Sequence, residues 1–341
     1  MPRLKRQPNL AAASADGGSA AVADARERRS GGKLARRLVL HYAMVWVLIV
    51  LAIVSDILYP GFFAFGNLRN IMSQNAPVGL VAIGMTFVMI AGGFDLSVSA
   101  IFAAAGVAAA SFFGHVSIEL AIAGALAVGL AAGAINGAII TRLKVNPFVA
   151  TLGTSSAFAG LALLYSHSQP IVPTGAAFSW LGTARWAGIP VSVVIFFAAF
   201  AIGAVVLSTT VFGRSVYAVG GNQEAARLAG IRVDLIRFLT YVITGLCAAI
   251  GGTIIASQTG VGQADIGANI TLDSIAIVII GGTSLLGGEG AMWRTLVGML
   301  ILATINNLFD SLALDTAAQS VVKGVIVVGA VALDSYTRRR Q

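Results

Sequence analysis

Apolar residues in this chain come in long runs, and polar residues gather in the short joints between them. About ten such runs follow one another from Leu38 to Asp334. A helix needs ~20 apolar residues to cross ~30 Å of hydrocarbon. Inside lipid it satisfies its own backbone hydrogen bonds, which an open sheet cannot do. The pattern predicts an all-α polytopic membrane protein with spans at 38–58, 71–91, 97–113, 118–140, 147–165, 190–209, 236–258, 272–287, 292–310 and 317–334. Hydrophobic content of 57% against 11% charged residues leaves no room for a water-soluble globule of this length. The third and eighth runs are short and border glycine turns, Gly92-Gly93-Phe94-Asp95 and Gly281-Gly282-Thr283-Ser284. Short or glycine-interrupted spans in two halves of a chain point to a transport pathway. The likeness of Ile90-Ala91-Gly92-Gly93 to Ile280-Gly281-Gly282 is brief, and an internal duplication stays open. In the fourth run Gly124, Gly129, Gly133 and Gly137 mark a face for close helix packing.

Charge adds a direction. Net charge is +8, yet its placement argues against nucleic acid. Of 22 Lys and Arg, 19 fall at positions expected to be cytoplasmic: nine in the N-terminal tail, then Arg142, Lys144, Arg214, Arg227, Arg232, Arg237, Arg294 and Arg338 to Arg340. Arg69, Arg185 and Lys323 fall elsewhere. That asymmetry is the positive-inside pattern. It puts both termini in the cytoplasm and requires an even number of spans, which ten satisfies. Residues 1–37, rich in Ala, Gly, Ser and Arg, read as a disordered basic cytoplasmic tail. Residues 38–335 read as one transmembrane domain, and 336–341 as a second basic cytoplasmic tail. A secretory signal fits less well, because the run 38–58 is too long and lacks a clear small-residue cleavage site. Lys323 is expected to snorkel to the outer interface or to pair with Asp310 or Asp315.

Two joints are longer. Residues 166–189, expected outside, carry Pro170, Pro173, Trp180 and Trp186, suited to an interface or to docking a partner. Residues 210–235, expected in the cytoplasm, contain Asn222 as an N-cap and Gly230 as a C-terminal stop around a short helix. A solvated loop has little use for such a helix with exposed Ala and Leu, whereas a groove on another protein does.

Chemistry-bearing motifs are few. None of Lys5, Lys33, Lys144 and Lys323 is followed by Ser or Thr, so there is no P-loop. His41, His115 and His167 are scattered and begin no zinc motif. Gly153-Thr154-Ser155-Ser156-Ala157 lacks the final Gly of a nucleophile elbow. The single cysteine, Cys247, lies in a span and reads as packing. No catalytic or metal set emerges, and the chain reads as a non-enzyme.

Four segments carry a family resemblance. Gly92-Gly93-Phe94-Asp95-Leu96-Ser97-Val98 resembles the "GGIDLSVG" signature of ribose-type permeases of ABC importers. Asn136-Gly137 with Asn146-Pro147-Phe148-Val149-Ala150-Thr151-Leu152-Gly153-Thr154 resembles the family's "NG…PFIATLGT" segment. Gly220 to Gly230 resembles "GGNxEAARLSGI", and Gly281 to Gly288 resembles "GGTSLxGG". They stand in the family's order. Phe94, Ser99 and Ala229 depart from it, where Ile, Gly and Ser are usual.

The resemblance implies a permease subunit in the bacterial inner membrane, with ten helices in a cobalamin-importer-like fold. It implies a dimer, with a second copy or a paralogue. It further implies a cytoplasmic ABC ATPase that binds ATP and Mg, so that this chain needs no cofactor. A periplasmic sugar-binding protein would deliver a monosaccharide or related polyol.

Coupling to the ATPase falls to Asn222, Glu224, Ala225, Ala226, Arg227, Leu228 and Gly230. Translocation candidates are Gly92, Gly93, Asp95, Ser97, Asn136, Asn146, Thr151, Thr154, Gly281 and Gly282. Asp95 reads first as a cap on the third span and second as a residue that shapes the pathway. The asparagines, with Asn306 and Asn307, read also as bonds between helices. Rival readings are an ion-coupled secondary carrier, and an importer permease for nucleosides, branched-chain amino acids or another small polar solute.

Overall fold

A computed structural model describes residues 42–173 and 175–338. The expected tail at 1–37 and residues 339–341 of the expected C-terminal tail lie outside the described residues. Helices α1 (Ala43–Leu58), α2 (Phe65–Ile90), α3 (Val98–Phe113), α4 (Ile118–Arg142), α5 (Pro147–Tyr165), α6 (Val191–Thr209), α7 (Val211–Gly221), α8 (Gln223–Leu228), α9 (Val233–Thr259), α10 (Ile270–Ile280), α11 (Met292–Ser311) and α12 (Thr316–Arg338) follow in order. The chain divides into two units, Met1–Val47 and Leu48–Gln341. The described part of the first is the opening of α1, where the amides of Val45 and Trp46 donate to the Tyr42 carbonyl. The features below belong to the second.

Six helices, α2, α4, α5, α6, α9 and α11, are long and apolar enough to cross a membrane. Helices α1, α3 and α10 and the stretch Ala317–Ile326 of α12 are apolar but shorter. Each predicted span overlaps one of these helices. Two expectations need correction. The eighth run was expected to continue to residue 287, but α10 stops at Ile280. Gly282, Gly287 and Gly288 have φ of +81°, +87° and +75°, which a helix cannot include. The joint 210–235 is also not one loop with one short helix. It holds two helices, because Val216 and Val219 of α7 sit fully buried while the charged Arg214 faces outward.

Helix α9 packs on α2, α3 and α4, and forms the centre of the body. Its contact with α4 runs along the predicted glycine face. A Cβ at Gly133 would stand 2.5 Å from the Tyr241 carbonyl oxygen, and one at Gly137 would stand 3.0 Å from that of Phe238. Gly129 lies as close to Gly245, so the two backbones come into direct contact at these positions. Gly124 packs on Phe112 of α3 instead. The shared core joins Leu80, Met85 and Phe87 of α2 to Phe102 of α3, Ile254 of α9, Ile277 of α10 and Leu302 of α11. Cys247 is buried in it, as expected of a packing residue. Outer faces stay apolar, with Ile57 72% and Ile202 66% exposed, a surface suited to hydrocarbon rather than water. The 166–189 joint folds into a helical turn and a two-residue hairpin, Arg185–Trp186 with Ile189–Pro190. Ser257 of α9 holds it, donating to the Phe178 carbonyl and accepting from the Gly182 amide. Trp180 and Trp186 remain exposed.

Candidate functional site

The chain between α2 and α3 is where the separated motifs meet. Helix α2 ends in a left-handed turn: Gly92 has φ +77°, the Gly92 amide bonds the Met89 carbonyl, and the Gly93 amide bonds that of Val88. Helix α10 ends the same way, with Gly282 bonding Ile279 and Thr283 bonding Val278. Glycine is the residue that takes this conformation without strain. After Gly93 the chain is non-helical to Ser97, and its polar groups are buried.

Those groups form a network. Asp95 is fully buried, and its Oδ1 accepts from the Ser97 amide at 2.9 Å and the Ser97 hydroxyl at 2.6 Å. The Asn136 amide of α4 donates to Ser97 Oγ at 2.7 Å. Thr154 of α5 donates to Asn136 Oδ1 at 2.6 Å. Thr151 Oγ1 accepts from the Leu96 amide at 3.0 Å, and the Tyr241 hydroxyl of α9 donates to the Phe94 carbonyl at 3.1 Å. Five candidates, Asp95, Ser97, Asn136, Thr151 and Thr154, thus converge from sites far apart in sequence. Asn146 does not join them; it is exposed and caps α5 by accepting from the Phe148 amide. Asn307 pairs its amide reciprocally with that of Asn67, a helix-to-helix bond.

On the other side of the same loop lies a junction of glycine backbones. The Gly288 amide donates to the Ile90 carbonyl at 2.8 Å. A Cβ at Gly287 would stand 2.7 Å from Gly92 Cα, and one at Gly288 would stand 2.8 Å from Gly221 Cα. A Cβ at Gly220 would collide with the Ile90 carbonyl oxygen. Tyr217 of α7 also donates to the Gly290 carbonyl at 2.8 Å. Both glycine turns and the end of α7 are therefore one contact. Gly93 belongs to the loop's other face, since a Cβ there would meet the Tyr241 hydroxyl at 2.6 Å. Gly281 seats against α11, where its Cβ would stand 2.5 Å from the Arg294 carbonyl oxygen.

Helix α8 starts one residue beyond the junction. Asn222 caps it, accepting from the Ala225 amide at 3.0 Å, and Gly230 closes it with φ +82°. Ala226 is buried beneath the helix, while Glu224, Ala225, Arg227 and Leu228 face outward, Leu228 at 90% exposure. Asp234 at the start of α9 holds Lys144 at 2.8 Å and stands 4.0 Å from Arg227. All three are exposed, so these pairs steady the surface more than they stabilise the fold.

Sequence reasoning did not select Gly220, Gly221, Gly287 and Gly288 as site residues. The signal was present as Gly-Gly pairs repeated in three of the four motif segments. Tyr241 gave no signal, because an aromatic in an apolar span looks like core.

Asn in place of Asp95 keeps Oδ1 and its two bonds to Ser97, whereas Ala removes the acceptor and strands buried donors. Asp95→Asn is therefore expected to keep its membrane level and activity. Asp95→Ala is expected to lose about 1–3 kcal/mol of stability. Thermal melting in detergent and an uptake assay check both. Lost uptake in a stable Asp95→Asn would assign the carboxylate a role in transport.

Residues 67–331 match the family described as branched-chain amino acid transport system / permease component. Ribose import permease protein RbsC of Bacillus subtilis is 41% identical over 290 residues, 84% of this chain and 90% of that protein. RbsC of Haemophilus influenzae is 37% identical over 316 residues, 90% of this chain and 96% of that protein. The L-arabinose transport system permease protein AraH of Escherichia coli is 36% identical over 307 residues, covering 88% and 92%. No solved structure matches. Matches of this extent, over the segments that build both the polar network and the glycine junction, show that the chain belongs to this permease family, as a ribose-type ABC permease.

Proposed function

We propose that this chain forms the translocation path of an ATP-driven importer for a monosaccharide, a pentose, hexose or related polyol. The names of the relatives, which specify ribose and L-arabinose, support that cargo. The family description favours branched-chain amino acids as the second cargo to test. In this reading a periplasmic binding protein delivers the solute and selects it. A cytoplasmic ABC ATPase, holding ATP and Mg, seats on α8. A second copy or a paralogue completes a dimer. The chain crosses the inner membrane ten times in a cobalamin-importer-like arrangement, with both termini in the cytoplasm.

The observation that carries the reading is the placement of α8. It presents an unpartnered apolar side chain, Leu228, and connects through Asn222 to the glycine junction. A push on α8 arrives at Gly220 and Gly221 and so at both turns flanking the short helices α3 and α10. A partner that closes on ATP binding could thereby move both turns together.

The test is a mild-detergent pull-down of the tagged chain from its native membrane. A stoichiometric P-loop ATPase is expected, and a second permease beside it would show a heterodimer. Recovery of the chain alone, with uptake sensitive to protonophore and resistant to vanadate, would replace this reading with an ion-coupled carrier.

A further inference from the structure

Away from the loop at Asp95, a cleft of about 340 Å³ opens between α2, α3, α9, α10 and α11. Its volume falls within the ~300–1,000 Å³ of small-molecule sites. Its wall is unusual for so apolar a chain: Gln74 and Asn75 of α2, Thr259 of α9, Asp273 of α10 and Asn306 of α11 line it, with the Phe102 ring among them. Asn306 donates to Asn75 Oδ1 at 3.4 Å, a long bond, and its own Oδ1 is buried with no hydrogen-bond partner. A buried acceptor left open in this way is costly, and it marks the Asn75–Asn306 corner of the cleft as incompletely satisfied.

The charges define the class of ligand. Asp273 is the one charged residue in the lining, and Lys323 of α12 stands 3.8 Å from its Oδ2. Lys323 is half-hidden and is not part of the lining. The pair cancels, so the wall offers amides, a hydroxyl and a balanced carboxylate rather than a net charge. Amides give donors and acceptors together, which suits vicinal hydroxyls. A zwitterion would need an uncompensated charge of each sign.

The geometry points to a transient site for a neutral polyhydroxylated solute inside the permease itself, built from Gln74, Asn75, Thr259, Asp273 and Asn306. Its cargo class rests on the importer reading above. Selection then occurs twice, once at delivery and once in this cleft. Occupancy is brief, because a path must release what it binds.

The test is saturation-transfer NMR on the full chain in lipid nanodiscs, with D-ribose, L-arabinose and L-leucine as probes. Saturable transfer from the sugars, at millimolar affinity or weaker, and none from leucine is expected. Asn306→Leu fills the cleft and should weaken the sugar signal at least ~10-fold. Gln74→Ala, an exposed position that burdens the fold less, should weaken it in the same direction. Equal sugar transfer in the wild type and both variants, or no saturable transfer from either sugar, overturns the inference. Stronger transfer from leucine than from sugar overturns the cargo class as well. Sugar uptake driven by ATP without sugar transfer in nanodiscs would sink the cleft and leave the importer reading standing. A pull-down without an ATPase would sink the importer reading and leave the cleft.

Discussion

Alanine at Gly220 will cost this permease its stable fold, while alanine at the next residue, Gly221, will not. The two glycines end the same helix and look interchangeable in the sequence. They differ in what surrounds them. A Cβ at Gly220 lands on the Ile90 carbonyl oxygen and 2.6 Å from the Gly288 amide nitrogen, both backbone atoms that cannot swing aside. A Cβ at Gly221 meets nothing within 4 Å. Ile90 is the last residue of α2, and its carbonyl accepts the Gly288 amide. Making room would break that bond and part the two glycine turns. Overpacking of this kind costs roughly 1–3 kcal/mol, and more where only backbone can yield. Gly220→Ala should show a lower melting temperature in detergent and reduced membrane accumulation, with Gly221→Ala at the wild-type value. Equal melting of the two variants would mean that the junction is looser than its distances state.

The contrast shows what a sequence can and cannot display. Apolar runs announced the helices, because a lipid-solvated segment must be apolar along its whole length and the run is as long as the helix. Asn222 and Gly230 announced the ends of α8, because caps act through neighbours two or three residues away. Helix α7 was hidden: its two buried valines are too few to stand out beside Gly213, Gly220 and Gly221. The network around Asp95 was legible only as a set of polar residues in apolar surroundings. Apart from the local Asp95–Ser97 bonds, which join residues two apart, its bonds span 18 to 147 residues of sequence, from Thr154–Asn136 to Tyr241–Phe94. No local pattern encodes such pairings. Lys323 shows the same limit. Local reasoning offered Asp310 and Asp315, whereas the structure brings Asp273 within 3.8 Å of it.

Leu228→Asp is expected to stop transport without touching the fold. Leu228 is 90% exposed at the end of α8, so it contributes little burial within this chain and its loss exposes no cavity. The buried residue of that helix is Ala226, and the cap is Asn222; neither is altered. Melting temperature and membrane level should therefore match the wild type. In the proposed complex the same side chain enters an apolar groove of the ATPase, where burying a leucine contributes about 1.5–3 kcal/mol. A carboxylate placed there must be desolvated without a partner, which adds to the loss. The two effects together should weaken the complex by at least ~100-fold. ATP hydrolysis by the partner should then no longer respond to solute, and uptake should fall to background. Ala226→Asp would also abolish uptake, but by unseating α8 from the body, and its melting temperature would drop. That difference in melting separates a docking residue from a packing residue. A Leu228→Asp variant that melts normally and still couples hydrolysis to uptake would remove α8 from the ATPase interface, and with it the route through Gly220 to the two glycine turns.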